Sequence, residues 1–223
     1  VRSAALDTPV WAWARSSLDE IAALPGRPAH CSTEQVAQVG ARLQQQLTRH
    51  QALMAQRSSN GWVRDCHGDL HLANIVRWEG QVLAFDALEF DPALRCIDVV
   101  CDIAFTFMDL LAHDRPALAW RLISAWCEHL GDRSGLALLR PFAAYRALVR
   151  AKVSLLGQDG TAFSRYWAVA ETLLAPQAPP TLVLTAGLSG SGKSTVAQLV
   201  CEALGAVRVR SDVERKRLLG LQP

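Results

Sequence analysis

The sequence has almost no net charge, no CxxC motif, no uninterrupted apolar run long enough to cross a bilayer, and no internal repeat or low-complexity tract. Each absence excludes something. With 23 Lys and Arg against 21 Asp and Glu the formal charge is +2, so nothing in the balance calls for nucleic acid or an acidic membrane as a partner. The longest apolar stretch, residues 99–112, is cut by Asp102 and Asp109 and is too short for a span. The first 16 residues lack the charged, apolar and small-residue order of a secretory leader. Of the six cysteines (Cys31, Cys66, Cys96, Cys101, Cys127, Cys201), Cys96 and Cys101 lie in an apolar segment and read as small core residues. A disulfide framework is not expected in so long and apolar a chain, which points to a reduced, cytoplasmic protein.

What is present is a core. Half of the 223 residues are hydrophobic, enough for one large domain or two small ones. Trp11, Trp13, Leu18, Ile21 and Leu24 fit one helical face, closed by Pro25-Gly26. Ser32 and Gln35 form a capping-box pattern, and Val36, Val39, Leu43, Leu47 and Leu53-Met54 follow at helical spacing until Ser58-Ser59-Asn60-Gly61. Residues 62–74 read as a short strand and a loop. The runs 75–78 and 82–85 flank Glu79-Gly80 as a hairpin. Residues 97–112 predict a buried helix, and further helices fall at about 116–130, 136–156 and 161–175. Pro176-Gln177-Ala178-Pro179-Pro180 is a stiff linker. Beyond it, 182–186 and 207–209 read as strands flanking a helix at 196–204. That helix and the first of these strands are expected to pack poorly, or against the helical part.

Residues 187–194 read Gly-Leu-Ser-Gly-Ser-Gly-Lys-Ser, a GxxxxGK[ST] phosphate-binding loop followed by Thr195. Gly187, Gly190 and Gly192 let the backbone curl, with Ser189 and Ser191 between them, so that successive N–H groups meet phosphate oxygens. The helix that follows adds its positive end. Lys193 reaches the β- and γ-phosphates, and the Ser194 hydroxyl is a Mg²⁺ ligand. Asp212, after Val207-Arg208-Val209-Arg210-Ser211, either handles an acceptor hydroxyl or caps a helix. These two segments resemble small P-loop kinases of the gluconate-kinase and zeta-toxin type. The resemblance covers about residues 181–221 and implies ATP as ligand, with the acid at 212 on the acceptor side.

A second pattern is His67-Gly68-Asp69-Leu70-His71-Leu72-Ala73-Asn74, then a hairpin, then Asp86. Phosphoryl transfer to a hydroxyl needs an acid for the acceptor proton and oxygen ligands for the Mg²⁺ that bridges the phosphates. A hairpin folds Asn74 and Asp86 back toward one another. The pattern resembles the catalytic half of the aminoglycoside phosphotransferase and choline kinase superfamily, over about residues 32–175. Carried over, Asp69 is the catalytic base, Asn74 and Asp86 hold Mg²⁺, His67 braces the loop, and Asp98 braces the loop backbone. The aromatic residue that often follows the metal-binding Asp is replaced here by Ala87-Leu88, and Glu89 reads as a surface residue. Cys66, His67 and His71 do not read as a zinc site, since Gly68 breaks the spacing. Arg146, Arg150 and Lys152 could line an acceptor site but read first as a solvated helix face, and Trp120, Trp126 and Trp167 read as packing.

The expected fold is therefore α+β: a mainly helical protein-kinase-like C-lobe with a β-hairpin (1–175), a Pro-rich linker (176–181), and the start of an α/β P-loop unit (182–223). No Gly-rich β-loop or strand Lys precedes residue 32, and a P-loop domain needs more strands than follow residue 212, so both ends read as cut and the piece alone as inactive. Both resemblances together are similar to bacterial proteins that fuse the two domains. They imply Mg-dependent transfer of the ATP γ-phosphate to a small-molecule hydroxyl, with no nucleic acid or membrane partner and no indication of oligomeric state. The alternative is a non-catalytic kinase-like binding module attached to a nucleotide-dependent P-loop domain.

Overall fold

A computed structural model describes residues 10–221; the first nine residues, which open the segment read for a leader, and the last two lie outside it. The described chain is mostly helical, with two small antiparallel sheets and the P-loop segment at its C-terminal end. Helix α1 (Val10–Ala23) buries Val10, Ala14, Leu18 and Ile21. Helix α2 (Thr33–Arg49) starts on the predicted capping box: Ser32 Oγ accepts from Gln35 N at 3.2 Å and Gln35 Oε1 from Ser32 N at 2.8 Å. A break at His50 separates it from α3 (Gln51–Ser59).

Strand β1 (Val63–Asp65) pairs antiparallel with β4 (Cys96–Asp98), Val63 facing Asp98 and Asp65 facing Cys96. Between them run a 3₁₀ turn at Leu72–Asn74, the hairpin β2 (Ile75–Trp78) and β3 (Gln81–Ala84), and the short helix α4 (Pro92–Arg95). The hairpin turn is the predicted Glu79-Gly80, at φ 48° and 80°. Two successive left-handed residues are what a two-residue connection needs to match the strand twist. The apolar segment from residue 97 begins as strand β4 and turns helical only at Val99, because Asp98 caps α5 (Val99–Ala112) by accepting from Val100 N at 2.9 Å.

Three further helices, α6 (Pro116–Leu130), α7 (Leu136–Leu156) and α8 (Gly160–Leu174), complete the bundle. Helix α7 is its hub, packed by α8, α5 and α1. Ala143, Ala144, Ala147 and Ala151 are fully buried there and let those helices approach closely. Phe105, Phe107, Phe142, Phe163 and Trp167 fill the space between. Trp167 is core as expected, while Trp120 and Trp126 are partly buried against its edge. All six cysteines are free. Cys101 is sealed in the core as read, whereas Cys96 is only half-buried.

A buried charge cluster ties the layers together. The Arg57 guanidinium, at the end of α3, donates to Asp98 at 2.7 and 2.9 Å and to Asp132 at 2.6 and 2.6 Å. Ser134 Oγ accepts at 2.9 Å. Asp98 is thus committed to Arg57 and to the α5 cap, and it does not brace the 67–74 loop.

The C-terminal segment departs from its reading. Helices α9 (Lys193–Leu204) and α10 (Ser211–Leu218) form, but 182–186 and 207–209 are not strands. A β-prone run becomes a strand only when its N–H and C=O groups find a neighbouring strand, and among the described residues no strand pairs with either run. Leu182 and Leu184 are 83% and 82% exposed. Helix α9 packs on α6 of the helical part, burying Cys201.

Candidate functional site

The loop from His67 to Asn74 hangs on one face of α5. Asp102 accepts from His67 N at 3.2 Å and Gly68 N at 2.9 Å. Thr106 Oγ1 donates to Leu70 O at 2.6 Å. Asp109, held from behind by the Tyr166 hydroxyl at 2.9 Å, accepts from Leu72 N at 2.8 Å. Residues 102, 106 and 109 recur at helical spacing, so one helix face serves three successive points of the loop. This brace was missed in the sequence, where the two acids read only as interruptions of an apolar run. The available signal was their period within it.

Gly68 is at φ +83° and buried, and an added Cβ would lie 3.1 Å from Leu94 O. The loop therefore needs glycine there for both conformation and space. His67 Nε2 lies 2.8 Å from Phe85 O, and Leu88 N donates to His67 O at 3.0 Å, which fixes the loop against the segment after β3.

Asp69 projects from this frame half-buried. Asn74 Nδ2 donates to its main-chain O at 2.9 Å and to its Oδ2 at 3.2 Å. His71 Nδ1 accepts from Ala73 N at 3.2 Å, which leaves the ring proton on Nε2, 3.4 Å from Asp69 Oδ2. Burial alone would raise the Asp69 pKa, but the His71 hydrogen bond and the charges of Arg146 and Arg150 outweigh it and hold the carboxyl below its ordinary value. Asp69 is accordingly an ionised acceptor.

Arg146 and Arg150 do not form a solvated face. Arg146 is buried, stacked 4.8 Å over Phe105 and donating to Cys101 O at 3.2 Å. Arg150 lies 3.4 Å from His71 Nε2 and 5.4 Å over the Tyr166 ring. Only Lys152 faces outward, paired with Glu20 at 3.1 Å. Both guanidinium groups lie over aromatic rings, near enough to Asp69 for their charge to lower its pKa.

Asn74 is buried and Asp86 exposed. Phe85 N donates to Asn74 O at 3.0 Å, extending the hairpin ladder by one step, so that Asp86 follows the residue paired with Asn74. Asp86 takes φ +61°, a left-handed conformation that costs a non-glycine residue about 1 kcal/mol. Among the described residues no side-chain hydrogen bond or ion pair engages its carboxylate, and none engages Asn74 Oδ1. One amide oxygen and one carboxylate suit Mg²⁺, which takes one or two protein ligands and completes its shell with water and phosphate. Among the described residues no group of three or more His, Cys, Asp and Glu is placed to hold a metal ion.

The second loop, 187–194, is open. Gly187, Gly190 and Gly192 are at φ +147°, +77° and +81°. Lys193 Nζ donates to Gly187 O at 2.8 Å and to Leu188 O at 2.5 Å. Ser191 N donates to Leu188 O at 3.3 Å, while among the described residues the amides of Ser189, Gly190, Gly192, Lys193 and Ser194 have no backbone partner outside the helix ladder. Ser194 and Thr195, exposed, open α9. Asp212 lies in the first turn of α10, one residue inside Ser211, and the residue at the cap is Arg210. Its carboxylate meets Arg210 at 2.8 Å, which lowers its pKa. Asp212 is thus not an N-cap, although an acid there still favours the positive end of the helix. Asp69 and the P-loop belong to separate regions of the chain, and neither supplies a side chain to the other's hydrogen bonds.

A family profile described as an AAA domain matches residues 182–223, which identifies this segment as a P-loop, nucleotide-binding, kinase- or ATPase-type sequence. An uncharacterized protein of Mycobacterium tuberculosis (strain ATCC 25618 / H37Rv) is 35% identical over 173 residues, covering 75% of this chain and 35% of its own length. An uncharacterized protein of Mycobacterium bovis matches to the same extent. The chain spans about a third of the length of these curated relatives. No solved structure matches it. No helix among the described residues is long and apolar enough to cross a membrane.

Proposed function

We propose that this chain is part of an ATP-dependent phosphotransferase that moves the ATP γ-phosphate to a hydroxyl of a small molecule. In this reading residues up to 175 act as a protein-kinase-like C-lobe of the aminoglycoside phosphotransferase type, and the P-loop segment binds nucleotide. The observation that carries the reading is the state of Asp69: half-buried, held ionised, and fixed by Asn74 and His71 on a loop whose amides are tied to α5.

Asp69 accepts the acceptor hydroxyl's hydrogen bond and aims its oxygen. A carboxylate with a lowered pKa takes the proton late, so it works chiefly by orientation. Asn74 Oδ1 and the Asp86 carboxylate would hold Mg²⁺, which would supply positive charge against the phosphates. In the P-loop segment the amides around Ser189, Gly190, Gly192 and Lys193 would receive phosphate oxygens, the Ser194 hydroxyl would hold the cation with Thr195 beside it, and Asp212 would leave Arg210 to meet an acceptor.

In the full-length protein, Asp69→Asn should lower phosphotransfer roughly 10²–10⁴-fold with ATP affinity kept; unchanged phosphotransfer would sink the assigned base. The family match on 182–223 favours a second reading, in which the P-loop segment does the nucleotide chemistry and the helical part is a binding module. Nucleotide binding that survives Asp86→Ala but not Lys193→Ala would support that reading over the first.

A further inference from the structure

The P-loop segment does not merely rest on α6; it is clamped there through charge. Arg208 N donates to Ser124 Oγ at 3.1 Å, and its guanidinium donates to Glu128 Oε2 at 2.9 Å. Arg210 meets Glu128 Oε1 at 3.1 Å, and Arg133 meets Glu214 at 2.6 Å. Gly205, at φ +65°, lies so close to Trp120 that an added Cβ would sit 2.8 Å from Nε1.

Beside this clamp lies a groove of about 380 Å³ whose lining includes Arg121, Ser194, Thr195, Gln198, Glu202 and Arg208. It runs along the first turns of α9, past the two hydroxyls that follow the P-loop lysine. Two guanidiniums border it. Arg208 Nη1 lies 3.4 Å from Ser194 O, while its Nε is buried without a partner among the described residues. Arg121, 61% exposed, reaches across from α6 to Glu202 at 3.2 Å.

We propose that Arg208, together with Arg121 from the helical part, forms the outer wall of the P-loop's phosphate site and binds the polyphosphate of a nucleoside triphosphate. Glu128 and Glu202 hold the two guanidiniums until phosphate takes their place. The chemistry is an exchange of like for like. Each guanidinium spends one nitrogen on its carboxylate, and a phosphate oxygen accepts the same charge-assisted hydrogen bond. The exchange takes one of the two guanidiniums off Glu128 and leaves Arg210 on it, so phosphate binding loosens the clamp on α6, and by linkage a loosened clamp strengthens phosphate binding. The helical part thereby becomes a contributor to nucleotide binding at the P-loop. This rests on the reading of 187–194 as a nucleotide phosphate loop.

The test is calorimetric titration of the chain with Mg-ATP and, separately, with inorganic tripolyphosphate. Arg208→Gln and Arg121→Gln should each weaken both ligands roughly tenfold, the value of one charge-assisted hydrogen bond. Glu128→Gln should tighten both. Arg121 is largely exposed, so its variant reports on binding without a folding penalty. If both arginine variants bind like wild type while Lys193→Ala abolishes binding, the arginines are not in the site and the P-loop reading stands alone. If the wild-type chain binds neither ligand, the P-loop reading and this proposal fall together.

Discussion

Two loops with glycine in nearly the same left-handed conformation are built in opposite ways. Gly68, at φ +83°, is buried with Leu88, Leu94 and Arg95 around it, whereas Gly190, at φ +77°, has nothing within 4 Å of an added Cβ. The 67–74 loop gives its amides to Asp102 and Asp109 of a helix packed in the core. The 187–194 loop bonds mainly to itself, and its lysine folds back on two of its own carbonyls. The first loop is thus organised by tertiary structure. The second is organised by local turns and presents its amides outward, where an anion meets them.

The contrast breaks most sharply at the charges that anchor each region. Arg57→Met leaves the carboxylates of Asp98 and Asp132 buried without their partner, and it should cost about 3–5 kcal/mol by urea denaturation. Lys193→Met should stay within about 0.5 kcal/mol of wild type, since its partners are exposed carbonyls. Equal costs would show that the two regions are embedded alike. A smaller effect separates the glycines. Gly68→Ala combines backbone strain with a forced contact on Leu94 O and should cost about 2–3 kcal/mol. Gly190→Ala carries the strain alone, about 1 kcal/mol, and thermal denaturation of the pair orders them.

Local signals were the legible ones. The capping box at Ser32, the Glu79-Gly80 turn and the helices from 116 to 174 follow from residues close in sequence. The acids and arginines that finish the candidate site did not declare themselves, because their partners lie far along the chain: Arg57 meets positions 98 and 132, and Asp102 meets 67 and 68. Arg146 and Arg150 resembled a solvated face because a guanidinium stacked on buried aromatics has the same helical spacing as one in water. The runs at 182–186 and 207–209 have strand composition, but pairing is a property of neighbours, and composition cannot supply them. Where the P-loop segment would lie was half-anticipated, as packing against the helical part. Its clamp to Glu128 was not, since it joins charges some 80 positions apart.

Amide hydrogen exchange on the chain, read residue by residue with and without Mg-ATP, bears most directly on the claim that one loop is built into the core while the other takes its order from phosphate. The amides of His67, Gly68 and Leu72 should be protected like the core helices and unchanged by nucleotide. Those of Gly190, Gly192 and Lys193 should exchange fast alone and slow on addition of Mg-ATP. Fast exchange at His67 and Gly68, or a P-loop indifferent to Mg-ATP, would contradict the account.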